Sequence, residues 1–113
     1  MTESWAAVEH AIADCVAQRP TEYDPMTLSV MADLLALLKS TDCVKPSIEP
    51  GYWPTFLISW PRLAGLNLGL EVFGDRVEVY RFNDRLFDVR DEVHEPGTGF
   101  SAAFIAELPI GER

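Results

Sequence analysis

Residues able to act as acids, bases or nucleophiles are few in this chain, and most stand far apart. Glu71 and Glu78 are the pair whose spacing matters. If the segment between them turns as a hairpin, the two carboxylates face each other across neighbouring strands. Opposed carboxylates in unequal environments divide into proton donor and base, the device of glycosidases. The plainer reading is a solvated sheet surface neutralised by Arg76 and Arg90, and it is preferred here. His10 and Asp14 share one helix face at i and i+4, which suits a surface pair. No two of His10, Cys15, Cys43 and His94 have the short spacing of a compact zinc site. Cys15 reads as a small buried hydrophobe. Cys43 beside His94 lacks a third group to orient the base. No metal and no cofactor are expected. A Walker loop, a Gly-x-Ser-x-Gly elbow and the zincin and zinc-deaminase patterns are all missing, and Gly97-Thr98-Gly99 is too short for a phosphate loop. The expectation is a protein that is not an enzyme.

The elements that position these residues follow from periodicity. Trp5, Val8, Ile12, Cys15 and Val16 recur at helical spacing, so a helix is expected over about 3–18, capped by Thr2 or Ser4, with Glu3 in its first turn and Arg19-Pro20 as its stop. Asp24-Pro25 starts a second helix over about 25–40, because aspartate caps and proline at the first position gives up an amide that had no partner. Its stripe is Leu28, Met31, Leu34, Leu35 and Leu38, widened by Val30 and Leu37. Pro46, Pro50, Gly51 and Pro54 then exclude helix. Strands are expected over about 55–60, 66–73, 76–82 and 86–91, with a turn over 61–65. A short helix over about 101–107 turns Phe100, Phe104, Ile105 and Leu108 inward. The fold class is α+β in a single domain spanning 1–113: two N-terminal helices packed on an antiparallel meander of about four strands, with a short C-terminal helix.

Gly74-Asp75 as a two-residue turn sets a register. Val72 meets Val77, Leu70 meets Val79, Tyr80 covers the bare backbone of Gly69, and Glu71 faces Glu78. For the next turn, Asn83-Asp84-Arg85, a three-residue loop pairs Val79 with Val89, Glu78 with Arg90 and Arg76 with Glu92. That choice matches apolar with apolar and acid with base, and it sets Arg90 beside the two glutamates.

Charge supplies the functional lead. Eighteen acids against nine lysines and arginines give the 113-residue chain a formal charge of −9. Residues 1–44 hold seven acids and two bases, residues 91–113 hold five acids and one base, and the strands between are nearly neutral. Such a chain repels phosphate backbones and anionic lipids, which disfavours direct nucleic-acid or membrane binding. No apolar run is long enough to span a membrane and no signal-peptide pattern opens the sequence, so a cytoplasmic protein is expected. Helices cover one face of a single sheet, leaving aromatics and charges on the other. The expected interaction surface is Glu71, Phe73, Glu78, Tyr80, Phe82, Arg90, Asp91, Glu92 and Glu95. The leading function is a non-enzymatic acidic module that docks on and inhibits or neutralises a larger, basic or nucleic-acid-binding protein. This is the manner of bacterial or phage antitoxins, immunity proteins and anti-defence proteins, with nucleic-acid mimicry as one version and a homodimer as one state. The alternatives are a secretion-type chaperone, or a small-ligand binder or enzyme using the Glu71/Glu78/Tyr80/Arg90 face.

Overall fold

The computed structural model describes residues 5–63 and 66–110. The caps expected at Thr2 and Ser4, and Glu3, lie outside the described residues. Helix α1 (Trp5–Gln18) buries Val8 and Cys15 and lays Trp5, Ile12 and Val16 against the core. Helix α2 (Pro25–Ser40) starts as the sequence dictates: the Asp24 carboxylate accepts from the Met26 amide at 2.7 Å, with Pro25 in the first turn. Its buried face is Thr27, Val30, Met31, Leu34 and Leu38. Leu28, expected on that face, is instead exposed, so the stripe is rotated toward Val30.

Five antiparallel strands follow in meander order: β1 (Ser47–Pro50), β2 (Phe56–Leu63), β3 (Leu66–Val72), β4 (Arg76–Phe82) and β5 (Phe87–Val93). Helix α3 (Ala102–Glu107) closes the chain, with the Ser101 hydroxyl capping it at the Phe104 amide. The α+β architecture is as expected, with one strand more. Prolines hid β1 from the sequence reading, yet proline is tolerated at a sheet edge, and Ile48 pairs there with Ile58. The turn expected over 61–65 begins later, since β2 runs through Leu63, and residues 64–65 lie outside the described residues.

The β3–β4 hairpin has the register expected from Gly74-Asp75. The Phe73 amide donates to the Arg76 carbonyl, and Val72–Val77, Leu70–Val79, Gly69–Tyr80 and Glu71–Glu78 are opposite neighbours. Phe56, Ile58 and Trp60 of β2, Leu70 and Val72 of β3, and Val77 and Val79 of β4 form one buried face under Met31, Leu34 and Leu38 of α2 and Phe104 of α3. Each such side chain contributes roughly 1.5–3 kcal/mol relative to leaving it in water. All three helices contribute to this one core, which positions every residue of the opposite sheet face.

The β4–β5 register differs from the expected one. Phe82 pairs with Phe87, Val79 with Arg90, and Glu78 with Asp91. The loop is four residues long because Asn83 Oδ1 accepts from both the Arg85 and Leu86 amides, and the Asn83 amide donates to the Leu86 carbonyl. A slip of one residue turns every β5 side chain to the other face. Arg90 and Glu92 therefore point to the helix side, and Val89 and Val93 point away from it.

Candidate functional site

The uncovered face of the sheet is built by register alone. Opposite neighbours Glu49–Leu57, Leu57–Glu71, Glu71–Glu78 and Glu78–Asp91 form one row across all five strands. Four of the five side chains in that row are carboxylates, about 4.8 Å apart from strand to strand where strands adjoin. Beside it Phe82, Phe87, Val89 and Val93 lie exposed toward β5, with Phe87 72% and Val93 81% accessible. Acid and apolar surface thus sit side by side on a face that no helix among the described residues covers.

The like charges in the row are answered separately. Glu71 is only 5% exposed, which corrects the expectation of a solvated pair. The loop Gly51–Thr55 closes over it, and the Thr55 hydroxyl donates to its Oε2 at 2.5 Å. Gly51 permits this closure, because a Cβ there would stand 1.9 Å from Thr55 Oγ1 and 2.8 Å from Glu71 Oε2. From the helix side the Tyr23 hydroxyl donates to the Thr55 carbonyl and Arg19 to the Trp53 carbonyl, each at 2.8 Å. Glu78 takes the Arg76 guanidinium at 3.2 Å and the Tyr80 hydroxyl. Burial, with glutamates at its hydroxyl, pushes the Tyr80 phenol well above its usual value, so it stays a donor at neutral pH. Arg76 also lies over the Phe73 ring, 3.9 Å from its centroid. The result is a satisfied polar network in which Glu71 already has its donor and is shielded from solvent.

Of the residues expected on this surface, Glu71, Phe73, Glu78, Tyr80, Phe82 and Asp91 do share the face. Arg90 and Glu92 do not. Arg90 reaches Glu107 of α3 at 2.8 Å, and buried Glu92 accepts from the Ser101 amide and hydroxyl at 2.8 and 2.9 Å. Polar partners on α3 let the helix side of β5 carry charges, which is why matching apolar residues across the turn misled the register. Glu95 lies exposed in the loop after β5, off the sheet. The grouping Glu71/Glu78/Tyr80/Arg90 is therefore not one face. Glu49, Phe87, Val89 and Val93 were missed, although Asn83 at the head of the turn was a signal for the longer loop. Tyr52 and Trp53, at the tip of the β1–β2 hairpin, are 87% and 68% exposed.

Away from this face, buried His94 and half-buried Asp33 form a clasp. His94 Nε2 lies 2.8 Å from Asp33 Oδ2, which also accepts the Gly97 amide at 2.8 Å. An ionised carboxylate only accepts, so Nε2 carries the proton and buried Nδ1 is left without a partner. The hydrogen bond from His94, with that from Gly97, holds the Asp33 carboxyl below its ordinary value. The imidazole stacks on Phe100 at 3.9 Å, so the clasp ties the segment after β5 to α2. His10 and Asp14 make the expected surface pair on α1. Cys15 and Cys43 are free and buried, and burial pushes the Cys43 thiol up to about 12. Among the described residues no three His, Cys, Asp or Glu side chains converge to hold a metal, and no helix is long and apolar enough to cross a membrane. A groove of about 330 Å³ between α1 and α2 is lined by Ile12, Met31, Leu35 and Phe56, and a cavity of about 490 Å³ lies beside Asp33, Gly97 and Phe100. Neither reaches Glu71 or Glu78. Comparison with protein-family models, curated proteins and solved structures finds no match to this chain.

Proposed function

We propose that this chain is a non-enzymatic, acidic protein-binding module. It acts in the cytoplasm, docks on a larger basic protein through the uncovered sheet face, and neutralises that protein by occupying its surface. One observation carries the reading: the carboxylates Glu49, Glu78 and Asp91, with buried Glu71 between them in the row, share a face with the exposed Phe82, Phe87, Val89 and Val93, and no helix among the described residues covers it. Apolar patches rimmed by charge are where protein partners bind. A chain at −9 draws a basic surface toward it and orients the encounter. The free, buried thiols of Cys15 and Cys43 suit a reducing compartment. Glu71 is already satisfied and closed off, which supports binding over acid–base chemistry at that carboxylate.

The test is affinity capture from source cells with tagged wild-type protein, in low and in high salt. A variant carrying Phe87→Ser and Val93→Ser is run beside it, and the captured protein is then purified and titrated back. The reading expects a basic partner whose binding weakens as salt rises and is lost in the variant. Binding unchanged by the two substitutions, or no protein partner at all, would remove this reading and return weight to a small ligand.

A further inference from the structure

The free edge of β5 carries an inference that does not depend on the identity of any foreign partner. In β5 the even residues hydrogen-bond inward to β4, a pattern framed by the bond from the His94 amide to the Asp75 carbonyl and the bond from the Asn83 amide to the Leu86 carbonyl. The amides and carbonyls of Phe87, Val89, Asp91 and Val93 therefore point outward, with no partner among the described residues. The side chains of these same residues lie on the uncovered face, three of them apolar. An edge whose outward amides and carbonyls are unpaired can accept another strand, provided that the strand answers the charges at Asp88, Arg90 and Asp91.

We propose that the occupant of this edge is a second copy of the chain, paired antiparallel, β5 to β5, about a two-fold axis at Val89. Asp88 and Arg90, one on each side of Val89, make the edge self-complementary in charge, and that pair sets the register. Three two-fold registers pair most of the strand with its mate, centred on Val89, Arg90 or Asp91. Centring on Arg90 sets Arg90 against Arg90 and Asp88 against Glu92. Centring on Asp91 sets Asp91 against Asp91. Centring on Val89 sets Val89 against Val89, Phe87 against Asp91, and Asp88 against Arg90 twice, with no like charges opposed. In that register Phe87, Val89 and Asp91 form hydrogen-bonded pairs with Asp91, Val89 and Phe87 of the second copy. Asp88 and Arg90 sit in the closer, non-hydrogen-bonded pairs. Phe87 comes diagonal to Val89 and Val93 of the second copy, so the apolar patches of the two copies meet beside the axis on the open face. The axis is perpendicular to the sheet, so both helical layers stay on one side. The two open faces join into one continuous surface with both carboxylate rows on it.

The test is sedimentation equilibrium on the purified full chain, with two charge reversals, Asp88→Arg and Arg90→Asp. Wild type is expected to sediment at twice the 12.6 kDa chain mass. Each reversal alone opposes like charges at both symmetric pairs and should weaken the dimer at least about tenfold. Mixed in equal amounts, the two variants restore opposite charges at both positions and should form a heterodimer. Circular dichroism of each variant separates loss of pairing from loss of fold, since Arg81 and Glu107 also touch these residues. If either single variant fails to fold, Val89→Lys, which leaves both ion pairs in place, must give a folded monomer. A wild-type monomer throughout the micromolar range overturns the proposal. So does a dimer indifferent to both reversals, or two reversed chains that fold but do not associate when mixed. Such results would leave the partner-docking reading to its own test.

Discussion

The two edges of the sheet are built on opposite terms. At one edge β1 is four residues long, ends in Pro50, follows Pro46 and has α1 packed against it. Its hairpin loop is tied down by Tyr23, Arg19 and the Thr55–Glu71 bond. At the other edge β5 runs for seven residues without proline, lysine or a bulge, and leaves Phe87, Val89 and Val93 in water. Short strands, prolines and covering elements are the means by which proteins silence an edge. One edge here has all three; the other has none of them and is marked only by charge, at four of its seven residues. The difference teaches that exposure at β5 is not a general property of this small sheet, because the same chain supplies the means to prevent it.

That contrast can be broken at several points. The largest effect should come at the closed edge. Gly51→Ala forces a methyl group into Thr55 Oγ1 and should cost about 2–3 kcal/mol in urea unfolding. Asp33→Ala releases the segment after β5 and strands both nitrogens of buried His94, at a cost of about 2 kcal/mol near pH 7. The sign of its pH dependence follows from the depressed carboxyl. Asp33 stabilises the fold above its ordinary value of 3.8, and that stabilisation is lost as pH falls through the lower folded value. Wild type and variant should therefore differ fully at neutral pH and converge in acid, as read by unfolding at a series of pH values. Thr55→Val takes a donor from the buried Glu71 carboxylate and should cost about 2 kcal/mol. Phe87→Ser or Val93→Ser should change the stability of the isolated chain by less than about 0.5 kcal/mol while weakening association. Large losses at these two exposed positions in dilute protein would mean that the open edge holds the fold as the closed edge does.

Much of the fold was legible because local chemistry and global packing agree. Asp24-Pro25 caps α2, and Gly74-Asp75 sets a register that both faces of the hairpin accept. The features that decide the site depend on distant partners. Arg90 and Glu92 are stable on the helix side only because Glu107 and Ser101 meet them there. Matching hydrophobicity across one turn could not show that, and the slip hid Val89 and Val93. Glu71 is buried by a loop anchored through Tyr23 and Arg19, far earlier in the chain. β1 was hidden because proline, a reliable sign against helix, is permitted at a sheet edge. The His94–Asp33 clasp joins residues separated in the chain by all five strands.

The most direct measurement of the open edge is residue-resolved amide exchange along β5 at low and high protein concentration. In dilute protein the inward amides of Asp88, Arg90 and Glu92 should exchange slowly, and the outward amides of Val89 and Asp91 quickly. As concentration rises, Val89 and Asp91 should become protected while the inward amides change little. An alternation that persists unchanged at every concentration, or outward amides already slow in dilute protein, would contradict an edge built for association with a second copy.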